Sequence, residues 1–352
     1  MPGWLVQGVE LPFGDAEREW WVDGFGQVAD RPVQDAEVLP GRYVLRGLVD
    51  MHAHPAIGER DGQPVACSSG EALRALASWA EEGVVLVRDV GSPAGVTLDL
   101  RPAGGVPKVI AAGRFLAPAN RYFPELLVDP VSEEELIDAA LGEVRRGARW
   151  VKLIADFPDM TDHGEPEPTY PMELIGRMVD AVHASGARVA AHCTLPNAGE
   201  LIAAGVDSIE HGLGLDEDSV RMMARAGAGW TPTLCALFGS SAGEDVPRER
   251  RARFEAAREA IPPLLRLAVD LGVMLLAGTD VVGNLPREIA ILADAGLEPA
   301  QALAAASEWP RAFLGEQGEP AADFVTYSND PREDLDELRR PAAVIVGGVR
   351  VR

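Results

Sequence analysis

The chain has 352 residues, long for one domain but ordinary for a barrel carrying a small appendage. Its 32 basic and 55 acidic residues leave a net charge of −23, which excludes nucleic acid and anionic membrane surfaces as natural partners. The 3 cysteines show no CxxC spacing, so a disulfide framework is not expected and a reducing, cytoplasmic compartment is.

The chain opens on Met1-Pro2-Gly3-Trp4-Leu5, without the basic and apolar regions of a secretory signal. No apolar run in it reaches membrane-spanning length. Short β-like pieces at 4–9, 19–22 and 43–46 are broken by Gly, Pro and Asp. From there strand and helix alternate, which predicts a parallel sheet with crossover helices. The strand candidates are 45–52, 84–90, 108–112, 150–155, 188–192, 208–211, 229–234 and 273–279. Most are Val/Ile/Leu/Ala runs, as expected of strands covered on both faces. Between them, Ser132 to Glu135 has a capping-box pattern, and Pro171 sits near a helix start. Gly147 and Gly186 read as helix ends, and a long helix over 248–271 is expected to break at Pro262-Pro263. The β-rich stretches 323–327 and 342–351, with a turn at Gly347-Gly348, close the chain. The expected fold is therefore α/β: a (β/α)8 TIM barrel over 47–315, with a small β-sandwich domain built from 1–46 and 316–352.

Polar residues interrupt the apolar strands near their carboxyl ends, the side on which such barrels build active sites. His52 and His54 are two apart, so strand alternation points both imidazoles the same way. Lys152 lies inside a buried strand, where a charged amine is costly. Burial beside cations favours its neutral form, which can take up CO₂ as a carbamate able to bridge two metal ions. It also reads as a lysine whose head snorkels to a carboxylate such as Asp156. His192 and His211 each close a short strand, a pair suited to a second metal. Asp280 ends the last strand and reads as a metal ligand and general base, or as a helix N-cap. His183 is explained by its helix terminus, and Cys193 by packing away from the metals. Arg88, Arg114, Arg121, Tyr122 and His163 lie at or after strand ends. They are candidate contacts for a small-molecule substrate, and each also reads as an ion-pair or packing residue.

The segments Gly47-Leu48-Val49-Asp50-Met51-His52-Ala53-His54, Trp150-Val151-Lys152-Leu153, Val189-Ala190-Ala191-His192, Ser208-Ile209-Glu210-His211-Gly212 and Ala277-Gly278-Thr279-Asp280 occur in that order. Together they resemble the amidohydrolase superfamily, in particular its imidazolonepropionase-like and prolidase-like metal-dependent hydrolases. The resemblance spans essentially the whole chain. It implies a binuclear metal centre, most often zinc, with His52, His54 and Asp280 on the more buried ion and His192 and His211 on the other. Carboxylated Lys152 and a hydroxide would bridge them, and Asp280 would shuttle a proton to the leaving amine. The implied reaction is hydrolysis of an amide or peptide C–N bond in a dipeptide or N-acyl amino acid. The loops at 115–131 and 315–320 depart from the family pattern, and the first touches the expected pocket.

Other readings stay open at this level: a mononuclear cyclic-amide hydrolase or deaminase, a lactone or organophosphate ester hydrolase on the same site, and a non-enzymatic scaffold. Against a deaminase, no acid follows His192 until Glu200. A homo-oligomer is compatible with the sequence.

Overall fold

In the computed structural model the described residues are 2–60, 63–161, 164–240, 248–316 and 322–352. The fold is α/β. Leu48–Ala53, Val84–Asp89 and Lys108–Ala111 form one parallel sheet in that spatial order. Phe115–Leu116, Trp150–Ile154, Arg188–Cys193, Ser208–His211 and Gly229–Thr231 form a second parallel sheet, again in chain order. The third predicted strand, 108–112, is found as Lys108–Ala111; after a turn at Gly113 (φ +78), where a Cβ would crowd Glu143, the short strand Phe115–Leu116 opens the second sheet. The predicted loop over 115–131 consequently begins as strand.

The segment 273–280 is extended rather than a regular strand, yet it pairs on both sides. Parallel bridges join Leu275 to Trp230 and Asp280 to Ala53. Backbone bonds Met51 N to Ala277 O (2.9 Å) and Asp280 N to His52 O (2.7 Å) hold its far end against the first strand. Gly278 permits that approach: a Cβ there would stand 2.5 Å from the Cβ of His52 and 2.6 Å from the Cγ2 of Thr231. The seventh strand ends at Thr231 instead of 234, because Pro232 has no N–H for the ladder and Leu234–Ser240 starts a helix.

Helices pack outside the strands by their apolar stripes. Met172–Ala184 buries Leu174, Ile175, Met178, Val179 and Val182, a 3.6-residue pattern that follows Pro171 as expected. Ser69–Glu81 starts at a capping box of Ser68 and Glu71. Ser132 and Glu135 also bond each other, but the helix proper starts at Leu136. Gly147 and Gly186 lie just past helix ends, both with positive φ. The expected break at Pro262-Pro263 is absent, and Arg248–Asp270 runs through it. The helical N–H donors that Pro262 and Pro263 lack would have served the carbonyls of Arg258 and Glu259, both exposed, where water can reach.

The two chain ends meet in one hydrogen-bonded sheet. Its order is Val349–Arg350, Ala343–Val346, Phe324–Tyr327, Tyr43–Leu45, Trp4–Glu10, Glu17–Val22 and Val28–Ala29, with Glu37–Val38 beside Trp4–Glu10. Val325 pairs with Leu45, and Gly347-Gly348 makes the expected turn. Trp4, Val6, Val22, Val44, Phe324 and Ile345 form a core separate from the main one.

Candidate active site

The first strand is buried throughout and delivers His52 and His54 to one end of the parallel sheets. Their rings stand edge to face, 5.2 Å apart. His54 Nδ1 donates to the carbonyl of Gly91 at 2.7 Å. His52 Nδ1 donates to Glu210 Oε2, also at 2.7 Å. Each acceptor fixes the proton on Nδ1 and leaves the Nε2 lone pair for a cation. Those Nε2 atoms lie 3.5 Å (His54) and 3.9 Å (His52) from Asp280 Oδ1. Ligand atoms so spaced suit one ion bonded at about 2.0–2.2 Å to each. One ligand atom each from His52, His211 and Asp280 lies within 4.8 Å of the others.

Sheet register brings the rest together. Lys152 pairs with Ala190, His192 with Ile154, and Glu210 with His192. Register partners share a face, so Lys152, His192 and Glu210 all point inward. Alternation would then turn His211 outward. Instead His211 takes φ +68, a left-handed backbone conformation that swings its ring within 4.7 Å of His192 and 4.9 Å of His52. Thr233, itself at φ +48, meets His211 Nδ1 at 2.7 Å. Asp280 is left-handed too, at φ +56. The next helix is capped by Asn284, so the N-cap reading of Asp280 does not hold.

Lys152 is 1% exposed, and its Nζ has no hydrogen-bond partner among the described residues. An amine orphaned in a core is costly, and a carbamate bound to metal ions would satisfy it. Burial lowers its pKa to about 8, against the opposing pull of Glu210 and Asp280. The snorkelling alternative is not realised, since Asp156 is taken up by Thr194 and the Leu195 amide. Burial, then the Lys152 charge, depresses His54 and His192 to about 3. His52 and His211 are also pushed well down, first by burial. Neutral imidazoles are the metal-binding form. Burial raises Asp280 to about 6, while 24% of its side chain stays open to the cavity.

Two residues the sequence reading passed over support this ring. Glu210 bonds His52, Ser208 and Arg88, the last at 2.8 Å. Asp50 holds Thr279 next to Asp280, with Thr279 Oγ1 donating at 2.6 Å. The signal for Glu210 was available: it is a carboxylate in an apolar strand, one residue before a histidine. Arg88, expected to meet substrate, is fully buried instead. It donates to Met51 O at 2.7 Å, pairs Glu210 and lies over the Trp150 ring.

The remaining candidates scatter. Tyr122 is buried and lines the cavity, 4.7 Å from Phe115 and 5.0 Å from Phe157. Arg114 is held by Glu143 (3.2 Å) and Asp129 (3.4 Å), and Arg121 by Glu167; neither lines the cavity. His163 lies outside the described residues. His183 pairs with Asp207 at 2.8 Å, and Cys193 turns to Leu195 and Asn197, so both stay apart from the ring as expected. A cavity of about 840 Å³ opens above His52, Lys152, His192, His211 and Asp280.

The sequence model of the amidohydrolase family matches residues 43–351. The chain belongs to the amidohydrolase family. As a member it is a hydrolase acting on amide-type bonds. An uncharacterised protein of Mycobacterium tuberculosis (strain ATCC 25618 / H37Rv) is 34% identical over 370 residues, 97% of this chain and 94% of its own. The ochratoxinase of Aspergillus niger is 27% identical over 262 residues, covering 69% of this chain and 53% of that protein. A solved Xaa-Pro dipeptidase with methionine in its active site superposes with a TM-score of 0.82 at 22% identity, over 99% of both chains. That last likeness concerns the fold.

Proposed function

We propose that this amidohydrolase cleaves the C–N bond of a dipeptide or N-acyl amino acid at a binuclear centre. One observation carries the reading: an orphaned, buried Lys152 amine stands among four neutral imidazoles and a carboxylate. His52, His54 and Asp280 would hold one ion, His192 and His211 the other, and carboxylated Lys152 both. Carboxylation joins Nζ to the carbon of CO₂ and releases a proton. Imidazole and carboxylate donors suit zinc first, and also manganese, cobalt or iron. Bound ions supply Lewis-acid polarisation of the scissile carbonyl and activation of water.

The chain's own groups do the rest. Asp280 accepts the proton of the attacking water and passes it to the leaving amine. A carboxylate with 24% of its side chain open to the cavity suits both steps. Glu210 keeps His52 in one tautomer, and Arg88 neutralises Glu210 from below. Tyr122 and Phe157 keep water from the cavity wall. The ochratoxinase and dipeptidase likenesses support a C–N target. In the same reading the parallel segments close as one eight-stranded barrel over 47–315. The terminal sheet is then a small β-sandwich domain of 1–46 with 316–352. The protein is read as cytoplasmic, in keeping with free Cys67, Cys193 and Cys235, and as a possible homo-oligomer. No described helix is long and apolar enough to cross a membrane.

A second reading has one ion held by His52, His211 and Asp280, the compact group above, serving a cyclic-amide hydrolase or deaminase. Metal analysis separates the two. The binuclear reading expects about two ions per chain, a loss of one in Lys152→Ala, and turnover of N-acyl amino acids. About one ion per chain, with Lys152→Ala harmless, overturns it.

A further inference from the structure

The cavity wall carries a feature that the proposed reaction leaves unused. Most of the wall is apolar, with Tyr122, Phe157, Met160, Leu237 and Val282. Among its described lining residues only Lys152 and Arg253 carry a cationic side chain. Lys152 belongs to the floor, in the imidazole ring. Arg253 comes from the helix Arg248–Asp270 and reaches across to Glu165, with Nη1 to Oε2 at 3.0 Å.

That pair is a loose one. Its side chains are 37% and 62% exposed, and pairs so open to water contribute little. A competing carboxylate can therefore take the guanidinium from Glu165 at small cost, and a planar fork suits carboxylate well. The demand for such a cation is real. The chain carries a net charge of −23, and Glu59 lines the same cavity, so away from the ligand ring an anionic group needs a cation on the wall. About 840 Å³ also exceeds what a small dipeptide fills and leaves room for bulky apolar groups against the aromatic wall.

We propose that Arg253 is a specificity-determining residue: it takes the free carboxylate of an N-acyl amino acid in exchange for Glu165, while the substrate's bulky apolar groups pack on Tyr122, Phe157 and Leu237. The proposal rests on the amide-hydrolase reading of the site, so binding and turnover are measured separately.

Binding is read by calorimetry on metal-loaded Asp280→Asn protein, with N-benzoyl-phenylalanine and its carboxamide as ligands. The carboxylate is expected to bind about tenfold or more tightly than the carboxamide. Adding Arg253→Gln removes that preference and leaves carboxamide binding within about twofold. Adding Glu165→Gln strengthens it, because the competitor is gone. A merely structural ion pair would weaken both ligands in both variants, so opposite signs mark a binding role. Equal binding of the two ligands, a preference that survives Arg253→Gln, or no binding of either overturns the proposal. If the preference holds but wild-type enzyme cleaves no N-acyl amino acid, the carboxylate site stands and the reaction assignment falls.

Discussion

Lys152 and Glu210 show how much one buried charge decides. Among the described residues Lys152 Nζ has no hydrogen-bond partner, whereas Glu210 has three, and both sit on strands whose register turns them inward. Replacing Glu210 with Gln removes the charge that orients His52 and leaves Arg88 buried without its counter-ion. Metal affinity is expected to fall about 10–100-fold, read by competition with a chromophoric chelator. Stability falls as well, by about 3–5 kcal/mol in urea unfolding, because the guanidinium loses its compensation. Asp280→Asn keeps the shape of the carboxyl group but cannot carry the proton. It is expected to lower kcat by about 10²–10⁴-fold, measured at saturating N-acyl amino acid. A variant retaining most of its kcat would remove Asp280 from proton transfer. Among the residues themselves, the six ligand candidates were legible because each breaks an apolar run. For Arg88 the ion-pair reading holds and the substrate reading does not; sequence left both open because a strand position says nothing of whether a side chain faces the mouth or the layer beneath it.

Elements position these side chains through close approaches that a single methyl group would upset. Gly278 lies against His52 and Thr231 at once. Gly278→Ala is expected to cost about 1–3 kcal/mol and to displace His52, seen as a lower urea midpoint together with weaker metal retention. Helix Leu285–Asp294 adds a pH-sensitive tie. Its buried Glu288 accepts from the amides of Leu234 (2.8 Å) and Cys235 (2.7 Å), at the start of the neighbouring helix. Burial pushes Glu288 up to about 7, above its ordinary 4.5. The folded state therefore holds the proton more tightly than the unfolded one. The stability this gives is complete below about pH 4.5 and is lost as pH rises through about 7. Wild-type stability relative to Glu288→Gln should accordingly decline between about pH 5 and 8, read from paired urea midpoints. A flat difference across that range counts against a raised Glu288.

At the scale of the whole molecule, the parallel sheets converge on a single polar centre, and the termini join in their own sheet. If ions occupy that centre only in the folded chain, chelation must lower stability. An ion at 1,000 times its dissociation constant contributes about 4 kcal/mol, so stripping it should lower Tm by several degrees. A Tm indifferent to chelator would leave the centre without a resident ion. The alternation of strand and helix was legible, because two-sided burial demands unbroken Val/Ile/Leu/Ala runs. The short strand Phe115–Leu116 and the irregular pairing of 273–280 were not, since the first depends on Lys152 and Leu153 and the second on the fit of Gly278 against His52 and Thr231, all remote in sequence.

The sequence by itself determined the α/β alternation, the set of His52, His54, Lys152, His192, His211 and Asp280, and the family to which they point. Local chemistry suffices there: a costly polar group in an apolar strand announces itself. Only the tertiary structure decided that His211 and Asp280 turn inward through left-handed backbone, that Glu210 and Arg88 underlie the ring, and that Arg253 faces the cavity. Those facts depend on register between strands and on a helix, Arg248–Asp270, that brings Arg253 and Phe254 to the cavity. Both are set by packing among residues that lie far apart along the chain.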